Sequence, residues 1–163
     1  MYLEHVARKF ERLQLQRGII SSLGKPASEN LISQVESNLG VSFPAKVAVF
    51  YKHFNGLRVE DPHVEIFPIE QMNFVFPNRL HFATFDKINR VFFDTSQINE
   101  AGQWSIVAED GFRITLTMPS IWSAHIWGWV EWRRVIWAEN LEWKAQWERI
   151  AERERLEEEQ RAT

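Results

Sequence analysis

The sequence feature that most limits the fold is the pair Asp110-Gly111, which joins two runs of β-forming residues. Asp-Gly readily adopts the positive φ angles of a two-residue hairpin turn. The flanking runs, Trp104 to Glu109 and Phe112 to Thr117, are rich in β-branched, aromatic and other apolar residues, which fit a pleated sheet. We therefore predict an antiparallel β-hairpin over residues 104–117.

A two-residue turn also fixes which residues of this hairpin share a face. Val107 should pair with Ile114, and Ile106 should pair with Thr115. Since side chains alternate between the two faces of a strand, we expect Val107 and Ile114 to point toward the flanking helices. Trp104 and Ile106 would then lie on the other face and would need a cover or a partner.

Three helices are predicted before the hairpin, from apolar residues that recur every three or four positions. The first covers residues from about 2 to 17. The second begins after Ser28, whose hydroxyl can cap a free amide, and it ends at Gly40, which can adopt a left-handed conformation. The third opens at Pro44 and ends at Asn55-Gly56. The apolar faces of these helices should pack on the core.

Short strands should follow the third helix. Val64 and Ile66 alternate with polar neighbours, and the runs Leu80 to Phe85 and Val91 to Phe93 are apolar and β-forming. Together with the hairpin, these strands predict a sheet that ends at about residue 117.

Beyond the sheet, the sequence predicts a helical extension over residues 119–163 that is interrupted or bent near Gly128. This extension holds most of the tryptophans, and the first of them are Trp122, Trp127, Trp129, Trp132 and Trp137. Their uneven spacing distributes the indoles around a helix, so we expect most to pack in the core and others to face a partner. A last helical segment from about residue 138 to 160, rich in Glu and Arg, should carry one apolar stripe, formed by Trp143, Trp147 and Ile150. Beyond Ile150 the chain is almost wholly charged, so it is either a solvated helix or a frayed tail.

Composition and charge narrow the function classes. The formal net charge of -3 provides no general basic surface, so direct binding of nucleic acid is not expected. The chain has no cysteine, which excludes disulfides and cysteine-based zinc sites and suits the cytoplasm. The most apolar stretch, residues 121–137, contains His125, Glu131 and two arginines, so no membrane span is predicted.

The best local cluster of ionisable side chains is Glu60, Asp61, His63 and Glu65. These groups could offer ligands to a metal ion, and a metal-dependent enzyme is one hypothesis. We prefer a solvated loop, because no second histidine lies at the three- to five-residue spacing that metal sites often use. The sequence also has no glycine-rich phosphate loop and no nucleophile elbow. We therefore predict no catalytic residue, no cofactor and no metal site.

The segment Ile32 to Pro44, continued by Phe50 to Gly56, resembles the signature of the SUKH superfamily of Smi/Knr-like proteins. That signature has a glutamate three residues before Leu-Gly, a proline that opens the next helix, and an aromatic run that ends in Asn-Gly. The matching residues are Glu36, Gly40, Pro44, Asn55 and Gly56. The chain departs from the signature at Phe43, where leucine is usual, and at Leu57, where a second glycine often follows.

The resemblance implies an α+β fold in which a mainly antiparallel sheet is flanked by helices. The signature covers residues from about 28 to 70, and the order of strands extends the likeness to about residue 117. The Trp-rich helical extension lies outside it. We expect residues 1–163 to form a single SUKH-like domain. We also expect the signature residues to set helix ends and the turn into the sheet, which does not locate a functional surface.

The resemblance also implies a function. Many bacterial members are immunity proteins that bind and neutralise toxin domains, often nucleases, in polymorphic toxin systems. We therefore predict a non-catalytic cytoplasmic immunity protein that binds a partner toxin. Glu60, Asp61 and Glu65 would complement the basic surface of a nuclease, and Trp104 and Trp129 would anchor the interface.

Fungal relatives in the same superfamily are regulators of cell-wall synthesis, and they suggest the alternative. In that hypothesis the chain is a regulatory scaffold whose Trp-rich C-terminal helix binds the partner. The sequence leaves open which toxin is bound, which surface binds it and how many copies of the chain associate.

Overall fold

The computed structural model describes residues 2–136 and 141–162, except for the side chains of residues 124, 141–148, 150 and 151. The α-helices of this part are α1 (Tyr2–Arg17), α2 (Glu29–Leu39), α3 (Ala45–His53), α4 (Met118–Ser120), α5 (Trp127–Trp132) and α6 (Leu141–Ala162). A 3₁₀ turn spans Ile69–Gln71, and a π-helical segment spans Ile121–Ile126. The strands are β1 (Ser21–Leu23), β2 (Leu57–Val59), β3 (Val64–Ile66), β4 (Asn73–Phe76), β5 (Arg79–Phe85), β6 (Asn89–Asp94), β7 (Ser105–Ala108) and β8 (Arg113–Thr115).

The first two helices follow the apolar spacing of the sequence. Helix α1 buries one face, whose members are Leu3, Val6, Phe10 and Leu13. At the start of α2, the hydroxyl of Ser28 accepts a hydrogen bond of 3.1 Å from the amide of Leu31. Gly40 ends this helix in the left-handed conformation with a φ of 69°. The predicted extents of both helices and the predicted caps of α2 are confirmed.

The strands form an antiparallel sheet in the order β1-β2-β3-β5-β6-β7-β8, and β4 also pairs with β5. Strand β3 pairs with residues 83–85 of β5, and β4 pairs with residues 79–81. Because β6 runs along the other side of β5, β3 and β4 lie end to end on one side. Side chains of α1 to α5 and of one sheet face form a common core cluster. The predicted α+β class is confirmed, although the sequence analysis did not identify β1, β2 or β4.

The hairpin of β7 and β8 has a longer loop than predicted. The amide of Ala108 donates to the carbonyl of Phe112 at 2.9 Å, so the three residues from Glu109 to Gly111 form the loop. Gly111 has a φ of 91° and supplies the left-handed position that a three-residue loop requires. The predicted two-residue turn is therefore wrong, although the glycine does lie in the turn.

The longer loop changes the pairing and the faces of the hairpin. Val107 pairs with Arg113 instead of Ile114, and a register shift next to it restores the predicted pair of Ile106 and Thr115. Ile106 and Ile114 both belong to the core cluster, whereas Val107 lies outside it. The prediction grouped Val107 with Ile114, and the register shift separates these two residues. The predicted faces of β7 are therefore reversed.

The chain after β8 is helical from Met118 to Trp132. Thr117 caps the start, because its hydroxyl accepts a hydrogen bond of 3.1 Å from the amide of Ser120. The helical path continues from α4 through the π-helical segment into α5, and it ends at Arg133, which has a φ of 55°. The predicted interruption or bend does not lie at Gly128, which is inside α5; the irregular turns precede α5, and the helix ends at Arg133.

The tryptophans of this region divide between the core and the surface. Trp122, Trp127 and Trp129 belong to the core cluster, whereas Trp132 is 78% exposed. This division confirms that the indoles do not share one helical face. The backbone of α6 likewise confirms the predicted charged helix. The remaining predicted positions lie outside the described residues and side chains: Trp137, Trp143, Trp147 and Ile150.

Candidate partner-binding surface

One face of the sheet carries a small aromatic cluster that is separate from the main core. Phe92 pairs with His81 on one side and with Val107 on the other, so these three side chains share a face. The neighbours of Phe92 along β6, Val91 and Phe93, belong to the main core cluster and point the opposite way. We call the side of the sheet that carries Phe92, His81 and Val107 the outer face.

Ring contacts hold the outer-face cluster together. The ring centroid of His81 lies 5.3 Å from that of Phe92 and 4.8 Å from that of Phe67. The guanidinium of Arg90 lies 5.5 Å from the ring centroid of Phe76 and 5.8 Å from that of Phe92. These are cation–π distances. Arg90 therefore covers apolar rings while it presents a charge at the surface.

His81 contributes no charge to this face at neutral pH. Burial lowers the pKa of its imidazole, because the charged form loses hydration. Its Nε2 lies 3.0 Å from the carbonyl oxygen of Ala83, which requires a donor at that nitrogen. The neutral ring therefore packs as an aromatic side chain between Phe67 and Phe92.

A polar row crosses the outer face beside the aromatic cluster. The register places Arg58, Glu65, Thr84 and Arg90 opposite one another on β2, β3, β5 and β6. Arg90 also forms an ion pair with Glu109, and the hydrogen bond from Arg90 lowers the pKa of that carboxyl. The outer face thus combines aromatic rings with fixed charges of both signs.

Strand β4 adds an exposed apolar edge to the sheet. Phe76 lies on the outer face, with its ring centroid 5.9 Å from that of Phe92, whereas Phe74 pairs with Leu80 of the core cluster and lies on the opposite face. Within the described residues, β5 alone pairs with β4 in the sheet. The exposed fractions are 38% for Phe74, 36% for Val75 and 43% for Phe76. An edge of this kind presents unpaired backbone groups together with apolar side chains. This strand is not predictable from the sequence, because the three consecutive apolar residues before Pro77 show no alternation between two faces.

Glu60 and Asp61, two of the predicted acidic contacts, lie in the loop between β2 and β3. A carboxylate oxygen of Glu60 is 3.1 Å from the Nε of Arg58, and one of Asp61 is 3.0 Å from a terminal nitrogen of Arg133. The side chain of Asp61 is 80% exposed. Exposed ion pairs contribute about 0–1 kcal/mol, so both carboxylates are available to another cation.

Glu65, the third predicted acidic contact, lies on the outer face instead of in the loop. Its carboxylate is 3.8 Å from the Nε2 of His63, and the Nδ1 of His63 accepts a hydrogen bond of 3.0 Å from the amide of Lys87. Burial lowers the pKa of His63, so the ring is neutral at pH 7. The structure therefore places Glu65 near the aromatic cluster, whereas Glu60 and Asp61 lie toward the end of β5 that is remote from β4.

Trp104 and Trp129 do not belong to this surface, and their predicted role as partner anchors is corrected. Trp104 is 5% exposed, and its ring centroid lies 5.8 Å from that of Phe43 and 5.7 Å from that of Phe93. It faces the core because the faces of β7 are reversed. Trp129 is 7% exposed, and its indole N–H donates a hydrogen bond of 2.9 Å to the carbonyl of His63. This bond fastens α5 to the residue before β3.

Two of the signature residues form hydrogen bonds that hold loops in place. The carboxylate of Glu36 accepts a hydrogen bond of 2.8 Å from the amide of Phe43. The side chain of Asn55 accepts a bond of 2.7 Å from the amide of Ile69 and donates one of 2.9 Å to Glu70. Both side chains therefore satisfy backbone amides at the ends of elements, and they do not converge on a common pocket.

The other signature residues act through the backbone. Pro44 directly precedes α3. Gly56 has a φ of 91°, and a Cβ atom there would lie 2.6 Å from the carbonyl oxygen of Ile66. No side chain larger than hydrogen fits that position. With Gly40 at the end of α2, these residues shape the turn into the sheet.

The described residues contain no group of three or more histidine, aspartate or glutamate side chains arranged to hold a metal ion. His63, the histidine of the predicted acidic cluster, already uses its Nδ1 as the acceptor for a backbone amide. Among the described helices, none is both long and apolar enough to cross a membrane.

Comparison with known families assigns the chain to one of them. Residues 26–123 match the sequence model of the SMI1 / KNR4 family (SUKH-1). The match covers more than half of the chain, includes every strand except β1, and extends well beyond the predicted signature. A comparison with curated proteins gives no match. Since the antiparallel sheet and its helices are also those expected from the signature, the chain belongs to the SMI1 / KNR4 family (SUKH-1).

Proposed function

We propose that the protein is a non-catalytic immunity protein that binds a partner toxin and neutralises it in the cytoplasm. Membership of the SMI1 / KNR4 family supports a role in binding a protein partner. The observation that carries the proposal is the exposed edge of β4, where three consecutive large apolar side chains are between 36% and 43% exposed. Solvated apolar edges are normally shortened, charged or covered, so this one fits a surface that a partner covers.

The partner would contact β4 and the outer face together. A strand of the toxin can add to the free edge of β4 by backbone hydrogen bonds, and Phe76 on the outer face and Phe74 on the opposite face can both contact apolar groups of the partner. Arg90 and Glu65 flank this contact with opposite charges, which would select a partner of complementary charge. Aromatic and arginine side chains are the residues that most often dominate binding energy at interfaces.

The exposed acidic loop supports a toxin with a basic surface, such as a nuclease. Glu60 and Asp61 reach solvent at the end of the sheet remote from β4. Charges outside the contact area act mainly on the rate of association, because the attraction operates over about 10 Å at physiological salt. We therefore assign these two residues to steering and the β4 edge to contact.

The first experiment identifies the partner. The tagged full-length chain is used to isolate proteins from a lysate of its native host, and these are identified by mass spectrometry. A toxin domain recovered in stoichiometric amount is the expected result. If no toxin encoded by the host binds, the proposal is wrong.

A pair of substitutions then tests the surface. Phe74→Ser should weaken the complex by about tenfold or more, because a partly exposed aromatic anchor contributes about 1.4 kcal/mol or more. The control is Ile88→Ser, which removes an apolar side chain that is 77% exposed at the other end of β5. Equal affinity of the Phe74 variant and the wild type in calorimetry would contradict the β4 surface while leaving the immunity function intact.

Helix α6 favours a second candidate, a regulatory scaffold that binds partners through its C-terminal helix. The helix has 22 residues, and its described side chains are exposed. Arg155 bridges Glu152 and Glu159 along one side, which stabilises a solvated helix. Deletion of residues 138–163 separates the candidates. Loss of partner binding by a folded truncated chain would favour the scaffold, whereas retained binding would favour the sheet surface.

A further inference from the structure

A cleft of about 480 Å³ opens on the helical side of the molecule. One wall is formed by His5, Lys9 and Arg12 of α1, which lie four and three residues apart and therefore share a face of the helix. The opposite wall is formed by α5 and the residues next to it, including Trp132 and Arg134. None of the lining residues belongs to β4 or to the outer face, so the cleft is distinct from the surface proposed to bind a toxin.

The cleft presents aromatic rings. Trp127 lines it and is 8% exposed, and the ammonium of Lys9 lies 5.3 Å from the Trp127 ring centroid. This cation–π contact holds the ammonium at the cleft. Trp132 also lines the cleft, and its side chain is 78% exposed. An indole so exposed on a cleft wall provides a flat surface on which another ring can stack.

The lining is positively charged although the chain as a whole is acidic. Lys9, Arg12 and Arg134 supply three cations, and Glu131 is the single carboxylate among the lining residues. That carboxylate lies 3.1 Å from a terminal nitrogen of Arg17, which is outside the cleft. Within the described residues, no carboxylate forms an ion pair with Lys9 or Arg12. Lys9 and Arg12 therefore present two positive charges at the cleft, and the lining carboxylate of Glu131 is already paired with Arg17.

We propose that this cleft binds a phosphorylated small molecule of nucleotide size, with its phosphates at Lys9 and Arg12 and its ring against Trp132. The volume lies in the range of roughly 300–1,000 Å³ that is typical of small-ligand sites. Guanidinium and ammonium groups form charge-assisted hydrogen bonds with phosphate oxygens. An exposed indole stacks on a base without requiring hydrogen bonds to its edges. The proposal does not depend on the immunity function, and either can fail alone.

Calorimetry with the full chain tests this proposal with three probes: ATP, pyrophosphate and adenosine. ATP should bind more tightly than either fragment, because it uses both the cations and the indole. The double substitution Lys9→Gln/Arg12→Gln should weaken ATP binding by about tenfold or more, since charge-assisted bonds contribute at least one factor of ten. Trp132→Ala should weaken ATP binding and leave pyrophosphate binding unchanged.

The control is Arg8→Gln/Lys25→Gln, which changes the net charge by the same amount at two exposed positions outside the cleft. It should alter ATP affinity by less than about twofold. Equal losses in the two double variants would overturn the site, because they would indicate general attraction of anions. Absence of heat with all three probes at millimolar concentration would also overturn it. Tighter binding of a glutamate-rich peptide than of ATP would reassign the cleft to an acidic protein segment. Thermal melting checks that each variant is folded.

Discussion

Asn55 forms hydrogen bonds that connect three segments of the chain. Its backbone amide donates a hydrogen bond of 2.9 Å to the carbonyl of Lys25, in the linker before α2. Its side chain accepts from the amide of Ile69 at 2.7 Å and donates to Glu70 at 2.9 Å, in the 3₁₀ turn. The chain after α3 is thereby fixed to segments that lie on both sides of it in the sequence.

We predict that Asn55→Ala lowers the free energy of unfolding by about 1–3 kcal/mol, because the partly buried amide of Ile69 loses its acceptor. The control is Asn73→Ala, which removes an exposed side chain whose amide donates to the carbonyl of Gln71 at 3.3 Å. That change should stay within about 0.5 kcal/mol. Urea unfolding followed by fluorescence measures both. Equal midpoints for Asn55→Ala and the wild type would contradict a clamping role.

At the same scale, the sequence predicted which residues cap the helices, but it did not predict which side chains are exposed. Ser28 and Gly40 were predictable, because the end of a helix restricts its own nearby residues. Trp104 was predicted to lie on the face away from the helices, yet Phe43 and Phe93 of the core cover its ring. The burial of a strand residue depends on the face of its strand, which a distant pairing decides. Of the predicted acidic contacts, the loop carboxylates of Glu60 and Asp61 do reach solvent.

At the scale of elements, the β7–β8 hairpin depends on a residue without a side chain. Gly111 has a φ of 91° in the three-residue loop. We predict that Gly111→Ala lowers the free energy of unfolding by about 1–2 kcal/mol, since left-handed backbone is strained for other residues. The matched control is Gly128→Ala in α5, where the nearest atom to an added Cβ lies at 3.8 Å. That change should be neutral or should stabilise by about 0.4–1 kcal/mol. Thermal unfolding of both variants distinguishes backbone strain from a general effect of added methyl groups.

Whether a helix or strand was predicted correctly depended on the type of sequence pattern that it shows. Helical periodicity in α1, α2 and α3 extends over several turns, so it predicted these helices closely. Strands β1, β2 and β4 have three or four residues each, and so short a pattern identifies a strand inconsistently. The alternation of β3 was recognised, whereas the same alternation from Leu57 to Val59 in β2 was not. The hairpin was found through its glycine, but its register depended on a loop one residue longer than the Asp-Gly pair suggests. The proposed interface depends on β4, which is therefore a strand that the sequence did not predict.

At the scale of the whole molecule, the net charge does not describe the charge of a particular surface. The net charge of -3 argued against a basic surface, yet Lys9, Arg12 and Arg134 line one cleft. These residues come from α1 and from the chain after α5, more than one hundred positions apart in the sequence. No local motif could bring them together. The tertiary fold does so because buried tryptophans pack the α5 region into the same core as α1, with a ring contact between Phe10 and Trp122.

Three histidines make the stability of the whole molecule depend on pH. Burial lowers the pKa of His63, His81 and His125, and the positive charge of Arg134 lowers that of His125 further. In the unfolded chain these imidazoles titrate near pH 6.5, so below that pH the unfolded state binds more protons than the folded state. The stabilisation is therefore complete above about pH 7 and is lost as the pH falls from 6.5 toward the folded pKa values.

We predict that the urea midpoint at pH 5.5 is lower than at pH 7.5, with an unchanged slope of free energy against urea. Lowered carboxyl pKa values, such as that of Glu109, act below about pH 4.5 and do not enter this window. His81→Gln keeps a donor near the carbonyl of Ala83 and removes one titrating ring, so the difference between the two midpoints should shrink. An equal or higher midpoint at pH 5.5 would show that the buried imidazoles gain protons as readily in the folded chain as in the unfolded one. The neutral state assigned to His81 between Phe67 and Phe92 would then be wrong.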